Sequence, residues 1–552
     1  MTGRDIPIVT VSALEHVDGK THTILVGPSR LTDAMGVKVN QKQDDGDHYI
    51  IRTSDDKPWI ALVGNDAGSL RGTIYAVYDL LERLGCGWYA PDPKWHVIPK
   101  RETLAIEPLN VDVRPAFKHR EIWMVVNAPI KDAWRLGGVH FAHGHALEFV
   151  LPREEYEKDH PDWFGPYQPS LTNPDVIKTI AERFRKTLDE KWHGDIVSLN
   201  LCANDGAGFA KADLKEGNVS SQMLYFANEL SKELQKTHAG KYQLTFYAYW
   251  YSHDAPEPMR KAEPGVAVMQ VSEGDHLKPW DWPEDPKIAA TTGRNNTREV
   301  KAFEAWKATG AEMAIYEWWI PNVGDRNWGS VPWYPLETSL RNYRYWKNGG
   351  VTAITHESQN ETSLVRRWPL YYLGARSMWE PDLSAEEILM PACRKLFGPA
   401  AGHMFDYYQT FEKATLASKL VGWNWYLPSP ELIYTPEYVA EADEHLNAAL
   451  SMTQDADMLA RIQEEKALWD QSKQLIADLR QNSPQRYFPL SLDGKVMWAQ
   501  ELKVVSGDYI HSLFGFSEYA PVYSVLPDGS KRQITMDEEI DLTRQNAFSL
   551  QP

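Results

Sequence analysis

Cysteine is scarce: Cys86, Cys202 and Cys393 are the only three in 552 residues, too few and too widely spaced for a disulfide framework or a thiolate metal site. Positive charge is also in deficit, with 58 Lys and Arg against 76 Asp and Glu and a formal charge of −18. Nucleic acid needs a basic face to displace counterions from phosphate, so no nucleic-acid partner is expected. Nothing approaches the roughly 18 consecutive apolar residues of a spanning helix, so no membrane span is expected either. The opening MTGRDIPIVT lacks the basic start and apolar run of an export signal. It reads as a cytoplasmic chain, or as an exported one with its signal trimmed. G-x-G-x-x-G, Walker A and H-E-x-x-H patterns are all missing, and no cofactor or metal is expected.

Aromatic residues are abundant: 22 Trp, 26 Tyr and 16 Phe make up 12% of the chain, many of them beside Asp, Glu, His or Asn. A pyranose ring has an apolar C–H face that stacks on an aromatic ring and a hydroxyl rim that needs fixed polar partners, so this pairing suits a carbohydrate. For any single ring, filling a large core is the plainer reading. The expected partner is an oligosaccharide or polysaccharide substrate; the oligomeric state is not legible.

Four segments are expected. Residues 1–112 read as a small α/β domain, with THTILVG and WIALVG as strands and SLRGTIYAVYDLLERLG as a helix ending on Gly85. Residues 113–370 alternate strand and helix. The strand candidates are 121–127, a poorer one at 138–143, then 196–202, 244–250, 266–271, 313–318 and 351–356. Helical segments such as VIKTIAERFRKTLDEKW and LETSLRNYRYWKNGG lie between them. Repeated βα units with apolar strands predict an α/β fold, a (β/α)8-like TIM barrel. Its eighth strand would be hidden near 365–375 or irregular. Residues 371–485 have helical periodicity, and 486–552 contain a hairpin pattern, VYSVLPDGSKRQI.

A TIM barrel carries its active site at the C-terminal strand ends, so the residues that follow each apolar run are the candidates. Asn204 and Asp205 follow 196–202, and Trp250 and Tyr251 end 244–250. Glu273 and Asp275 follow 266–271, while Glu317, Trp318 and Trp319 end 313–318. His356 and Glu357 end 351–356, with Glu361 further into the loop. Glycoside cleavage needs a carboxylic acid to protonate the leaving oxygen and a second group to stabilise charge at the anomeric carbon. Glu317, Glu357 and Asp205 are the catalytic candidates. Asn204, Trp250, Tyr251, Glu273, Asp275, Trp318, Trp319 and His356 are substrate-binding candidates. His140, His143 and His145 cluster in GVHFAHGHAL; with no zinc signature beside them, His143 and His145 are read as sugar contacts.

Several stretches are similar to known sequences. RGTIYAVYDLLERLGCGWYAPD (71–92) resembles the end of the small α/β domain that precedes the barrel in hexosaminidases and α-glucuronidases. HFAHGHALEFVLPREEYEKDHPDWFG (140–165), NDGAGF (204–209) and WPLYYLGARSMWEPDLSAEEILMPACRKLFGPAA (368–401) resemble domain-of-unknown-function family 4838. That family includes glycoside hydrolase family 163, which contains endo-β-N-acetylglucosaminidases acting on N-glycans. The resemblance implies cleavage of a glycan containing N-acetylhexosamine, with assistance from the substrate's own acetamido oxygen. Which of Asp205, Glu317 and Glu357 takes which part is left open. The alternatives are an exo-glycosidase on another sugar, such as a uronic acid recognised by a basic pocket at Arg120 or Arg326, and a carbohydrate-binding protein without turnover.

Overall fold

The computed structural model describes residues 1, 3, 6–8, 20–126, 128–206, 208–210, 217–282, 296–319, 331–358, 360–418, 422, 427 and 430–482, together with the backbone of the C-terminal strands given below. The N-terminal unit holds β1 (Thr23–Val26), β2 (Tyr49–Thr53), β3 (Trp59–Gly64), the two-residue strands β4 (Gly87–Trp88) and β5 (His96–Val97), and β6 (Asn110–Val113). One sheet runs β1-β3-β2-β6. The helix Gly72–Arg83 buries Tyr75, Ala76 and Leu80 against Tyr49, Ile51, Ile60 and Leu62. The end of β3 meets the start of that helix so closely that a Cβ on Gly64 would lie 1.9 Å from the carbonyl carbon of Gly72.

The central sheet holds β7 (His119–Ile122), β8 (Gly137–Gly138), β9 (Val197–Asn200), β10 (Tyr242–Ala248), β11 (Val266–Val271), β12 (Glu312–Trp318) and β13 (Ala353–Glu357). Its order is β8-β7-β13-β12-β11-β10-β9. Every pairing is parallel except the short antiparallel β7–β8 contact. The sheet curls into a half-barrel, and among the described residues the expected eight-stranded closure does not form. Irregular chain after β8 spans the gap instead. Ala142 N–H donates to Ser198 Oγ at 2.8 Å, Asn200 Nδ2 to Gly144 O at 2.9 Å, and Ala146 N–H to Cys202 O at 3.0 Å.

Three expectations need correction. The strand placed at 121–127 lies at His119–Ile122, and the apolar residues after it form a turn through Met124 (φ +64°), with Val126 78% exposed. Only Gly137–Gly138 of the stretch near 138–143 pairs; Gly138 (φ +97°) approaches Lys118 O so closely that a Cβ would sit 1.9 Å from it. The stretch 365–375 is helical, in Glu361–Arg366 and Trp368–Ser377, with Pro369 in a first helical turn where its missing N–H costs nothing.

Helices expected between strands are present at Pro174–Lys191, Val219–His238, Asn296–Ala308 and Leu336–Gly349. Asn173 and Asn218 cap the first two through side-chain oxygens that accept backbone N–H groups. The helical region follows, with Ala385–Phe397, Ala401–Ala417, Pro436–Met452 and Ala456–Asn482, packed around Tyr407, Phe411 and Trp469. Among the described residues no helix is long and apolar enough to cross a membrane. An antiparallel sheet closes the chain: β14 (Tyr487–Leu492), β15 (Lys495–Val504), β16 (Gly507–Ser512), β17 (Tyr523–Val525) and β18 (Lys531–Gln533). The last two strands form the hairpin read in VYSVLPDGSKRQI.

Candidate active site

Successive strand residues point to opposite faces of a sheet, and the ladder register fixes which residues share one. Tyr316 pairs with Thr355, Glu317 with His356 and Trp318 with Glu357, while Thr355 pairs with Glu121. Ala267, Met269, Val271, Ala314, Tyr316, Trp318 and Ala353 form one core cluster on the concave face. Met313, Ile315, Val268 and Phe246 belong to the layer beneath the helices. Glu121, Thr355 and Glu357 therefore join Tyr316 and Trp318 on the concave face, whereas Glu317, His356 and Arg120 face the other way.

Two carboxyls at the concave mouth are pushed in opposite directions from their ordinary value. Burial pushes the Glu357 carboxyl up to about 7, against the Tyr316 hydroxyl, which donates to Oε2 at 2.7 Å and favours the ionised form. At Glu121 burial also works upward, but contacts from His119 and His143 outweigh it and hold the carboxyl well below the usual range. His143 Nε2 lies 2.5 Å from Glu121 Oε2, and Thr355 Oγ donates to the same oxygen at 3.4 Å. Tyr247 accepts from Gly144 N–H at 2.7 Å, which fixes the turn that delivers His143.

A continuous wall of rings surrounds the pair. Trp123 stacks on His143 with centroids 5.9 Å apart and meets Tyr316 edge-on at 5.6 Å. Tyr316 contacts Tyr247 and Trp318 at 5.7 and 5.5 Å, and Tyr249 continues the wall from Trp318. His145 lies 6.2 Å from Tyr249.

The structure does not bring Glu317 to this mouth. It lines a buried cavity with Ser272, His276, Trp319, Trp333 and Tyr343, on the side covered by the helix Leu336–Gly349. Burial raises its carboxyl to about 8, and Oε1 accepts from Trp318 N–H at 2.9 Å. His356 lies in the same layer, stacked on Trp319 at 3.6 Å with Nε2 2.5 Å from the Tyr343 hydroxyl.

Residues 88–410, more than half of the 552, match the family described as "Domain of unknown function (DUF4838)". The chain belongs to that family. None of the curated proteins matches it. Solved structures similar to this DUF4838 chain include a family GH115 4-O-methyl-α-glucuronidase with specificity for decorated arabinogalactans (TM-score 0.49, 13% identity, 87% of this chain and 72% of that one). Another is a GH138 enzyme targeting pectin rhamnogalacturonan II (TM-score 0.44, 10% identity, 84% and 71%).

Other expected site residues of this DUF4838 protein hold loops. Asn204 Oδ1 accepts from Glu148 N–H at 2.9 Å and its Nδ2 donates to Tyr167 O at 3.1 Å. Asp205 is 65% exposed and 4.0 Å from His145 Nε2. Buried Glu273 accepts from Trp250 N–H at 2.8 Å. Asp275 accepts from Leu277 and Gly422 N–H, each at 2.9 Å. Trp250 and Tyr251 are half-buried in the short helix Trp250–Ser252, Trp319 is buried beneath the sheet, and Glu361 is exposed in a first helical turn.

Arg120 is not part of a basic pocket: its guanidinium is fully buried and paired with Asp47. Arg326 lies outside the described residues. Sequence reasoning missed Glu121, Trp123, Tyr247 and Tyr316. Glu121 is the first residue of the strand candidate 121–127; with the strand at His119–Ile122 it sits near the C-terminal end, where active-site groups gather.

Proposed function

We propose that this DUF4838 protein is a glycoside hydrolase in which Glu357 is the general acid. One observation carries the reading: at a ring-lined concave mouth, a carboxyl raised to about 7 shares the face with an ionised carboxylate. Glu357 is two residues along from the level of Glu121 on the adjacent strand, so their backbone positions are about 8 Å apart. That span suits the roughly 5–9.5 Å between glycosidase carboxyls once side-chain reach is allowed for. Glu357 gives its proton to the leaving oxygen as the glycosidic bond breaks, and its carboxylate then takes a proton from the water that adds to the anomeric carbon, which restores the acid. Glu121 offsets the positive charge that grows on the anomeric carbon, and the flanking rings hold the sugar. For the substrate we infer a glycan containing N-acetylhexosamine, supported by the family resemblance, with the acetamido oxygen assisting. A panel of glycans and aryl glycosides, with products read by mass spectrometry, tests this; turnover of uronosides alone would reject the N-acetylhexosamine.

The acid must be protonated to act, so kcat is expected to fall as pH rises through about 7. Tyr316→Phe removes the hydroxyl that favours ionised Glu357, so its alkaline limb is expected at higher pH than that of the wild type. Paired kcat–pH profiles check both, and an unmoved limb would remove Glu357 from the acid's role.

A further inference from the structure

We propose that His119, Glu121 and His143 form a binding site for a divalent first-row transition cation such as Zn2+. Their ligating atoms all lie within 4.8 Å of one another. His119 supplies the decisive observation. Its Nδ1 donates to Val139 O at 2.9 Å, which leaves the lone pair of the neutral ring on Nε2. That Nε2 is buried in a residue only 7% exposed and makes no hydrogen bond of normal geometry, with the Glu121 carboxylate as its polar neighbour. It points toward Glu121 Oε2 at 3.4 Å, where two lone pairs repel unless a proton or a cation lies between them.

A backbone carbonyl on the far nitrogen is the usual support of a metal-bound imidazole. For tetrahedral bonds of about 2.0–2.1 Å, neighbouring ligand atoms sit about 3.3 Å apart, close to the His119–Glu121 separation. The His143–Glu121 pair, at 2.5 Å, must open by less than 1 Å, a small adjustment for a side chain on the irregular segment after β8. The Glu121 side chain is 38% exposed, so the mouth is open for water as a fourth ligand, and two imidazoles with one carboxylate suit zinc or cobalt. The site does not rest on glycoside cleavage, but a cation on Glu121 and a sugar at the same carboxylate would exclude one another, so binding is read without substrate.

A second cluster, His403, Asp406 and His445, also brings its ligating atoms within 4.8 Å, so the test uses the full chain carrying His445→Ala. Titration with Co2+ is followed by visible d–d absorption, and Zn2+ is then added in competition. One saturable equivalent is expected, displaced by zinc, with affinity at least ~100-fold weaker after His143→Ala, more than supporting partners of a metal site usually cost. Glu121→Gln keeps the side-chain shape and both histidines and is expected to weaken binding likewise, with cooperative thermal unfolding confirming that each variant is folded. Absence of a saturable band, or binding unchanged in both folded variants, would overturn the site.

Discussion

Glu357→Gln is expected to lower kcat on a natural glycan by about 10²–10⁴-fold, the usual contribution of a positioned general acid. The fold should survive, because the glutamine carbonyl still accepts the Tyr316 hydroxyl that now donates to Glu357 at 2.7 Å. The loss should be much smaller on an aryl glycoside whose phenolate leaves unaided, since that bond breaks without a proton. A merely structural glutamate would show no such dependence on the leaving group. Glu317→Gln supplies the contrast: Glu317 is buried away from the mouth with its carboxyl raised to about 8, so a neutral amide resembles its form at neutral pH. Its kcat is expected to stay within a few-fold of the wild type. Rates on both substrate types decide the matter, and a Glu357→Gln enzyme as fast as the wild type would end the assignment.

The contrast between these two glutamates marks where the sequence is readable. Strands such as VAVMQV and MAIYEW stand out because both faces are buried and the apolar run is unbroken. That same continuity hides the phase. With apolar residues on both faces, nothing in MAIYEW tells whether Tyr316 or Glu317 faces the concave side until pairing with β13 fixes it. Glu357 was readable as a strand-end carboxylate, whereas Glu121 was obscured by the apolar residues after it, which suggest a strand but form a turn. The absence of an eighth strand among the described residues has a similar origin. The gap between β8 and β9 is spanned by single hydrogen bonds from irregular chain, which leave no period-two pattern to find. The central helices, with long amphipathic periods, were legible to within about two residues at their ends, their asparagine caps aside.

Asp47→Ala is expected to destabilise the protein by about 3–5 kcal/mol, the usual cost of removing one partner of a buried ion pair. Asp47 and Arg120 are both fully buried, with Nη2 and Oδ2 2.5 Å apart. Arg120 also donates through Nε to Arg135 O at 3.0 Å and through Nη1 to Phe117 O at 2.9 Å, beneath the Trp379 ring at 4.8 Å. On the other side, Asp47 Oδ1 accepts from Arg71 N–H at 2.7 Å, just before the helix Gly72–Arg83. The pair thus ties the N-terminal sheet to β7, the strand that carries Glu121. Truncation leaves a guanidinium that solvent cannot reach, so it must be exposed at the expense of that contact or remain uncompensated. Asp47→Asn keeps an acceptor for Arg71 and should cost less. Replacing both partners together, Asp47→Leu with Arg120→Met, should recover much of the loss, because no buried charge is then left unpaired. Urea unfolding of the wild type, Asp47→Leu, Arg120→Met and the double variant measures the coupling, with Asp47→Ala and Asp47→Asn unfolded alongside. Additive losses in the double variant would show that the two side chains stabilise separately, leaving contacts such as Tyr75 hydroxyl to Leu136 O and Arg71 to Asp132 to hold the front domain.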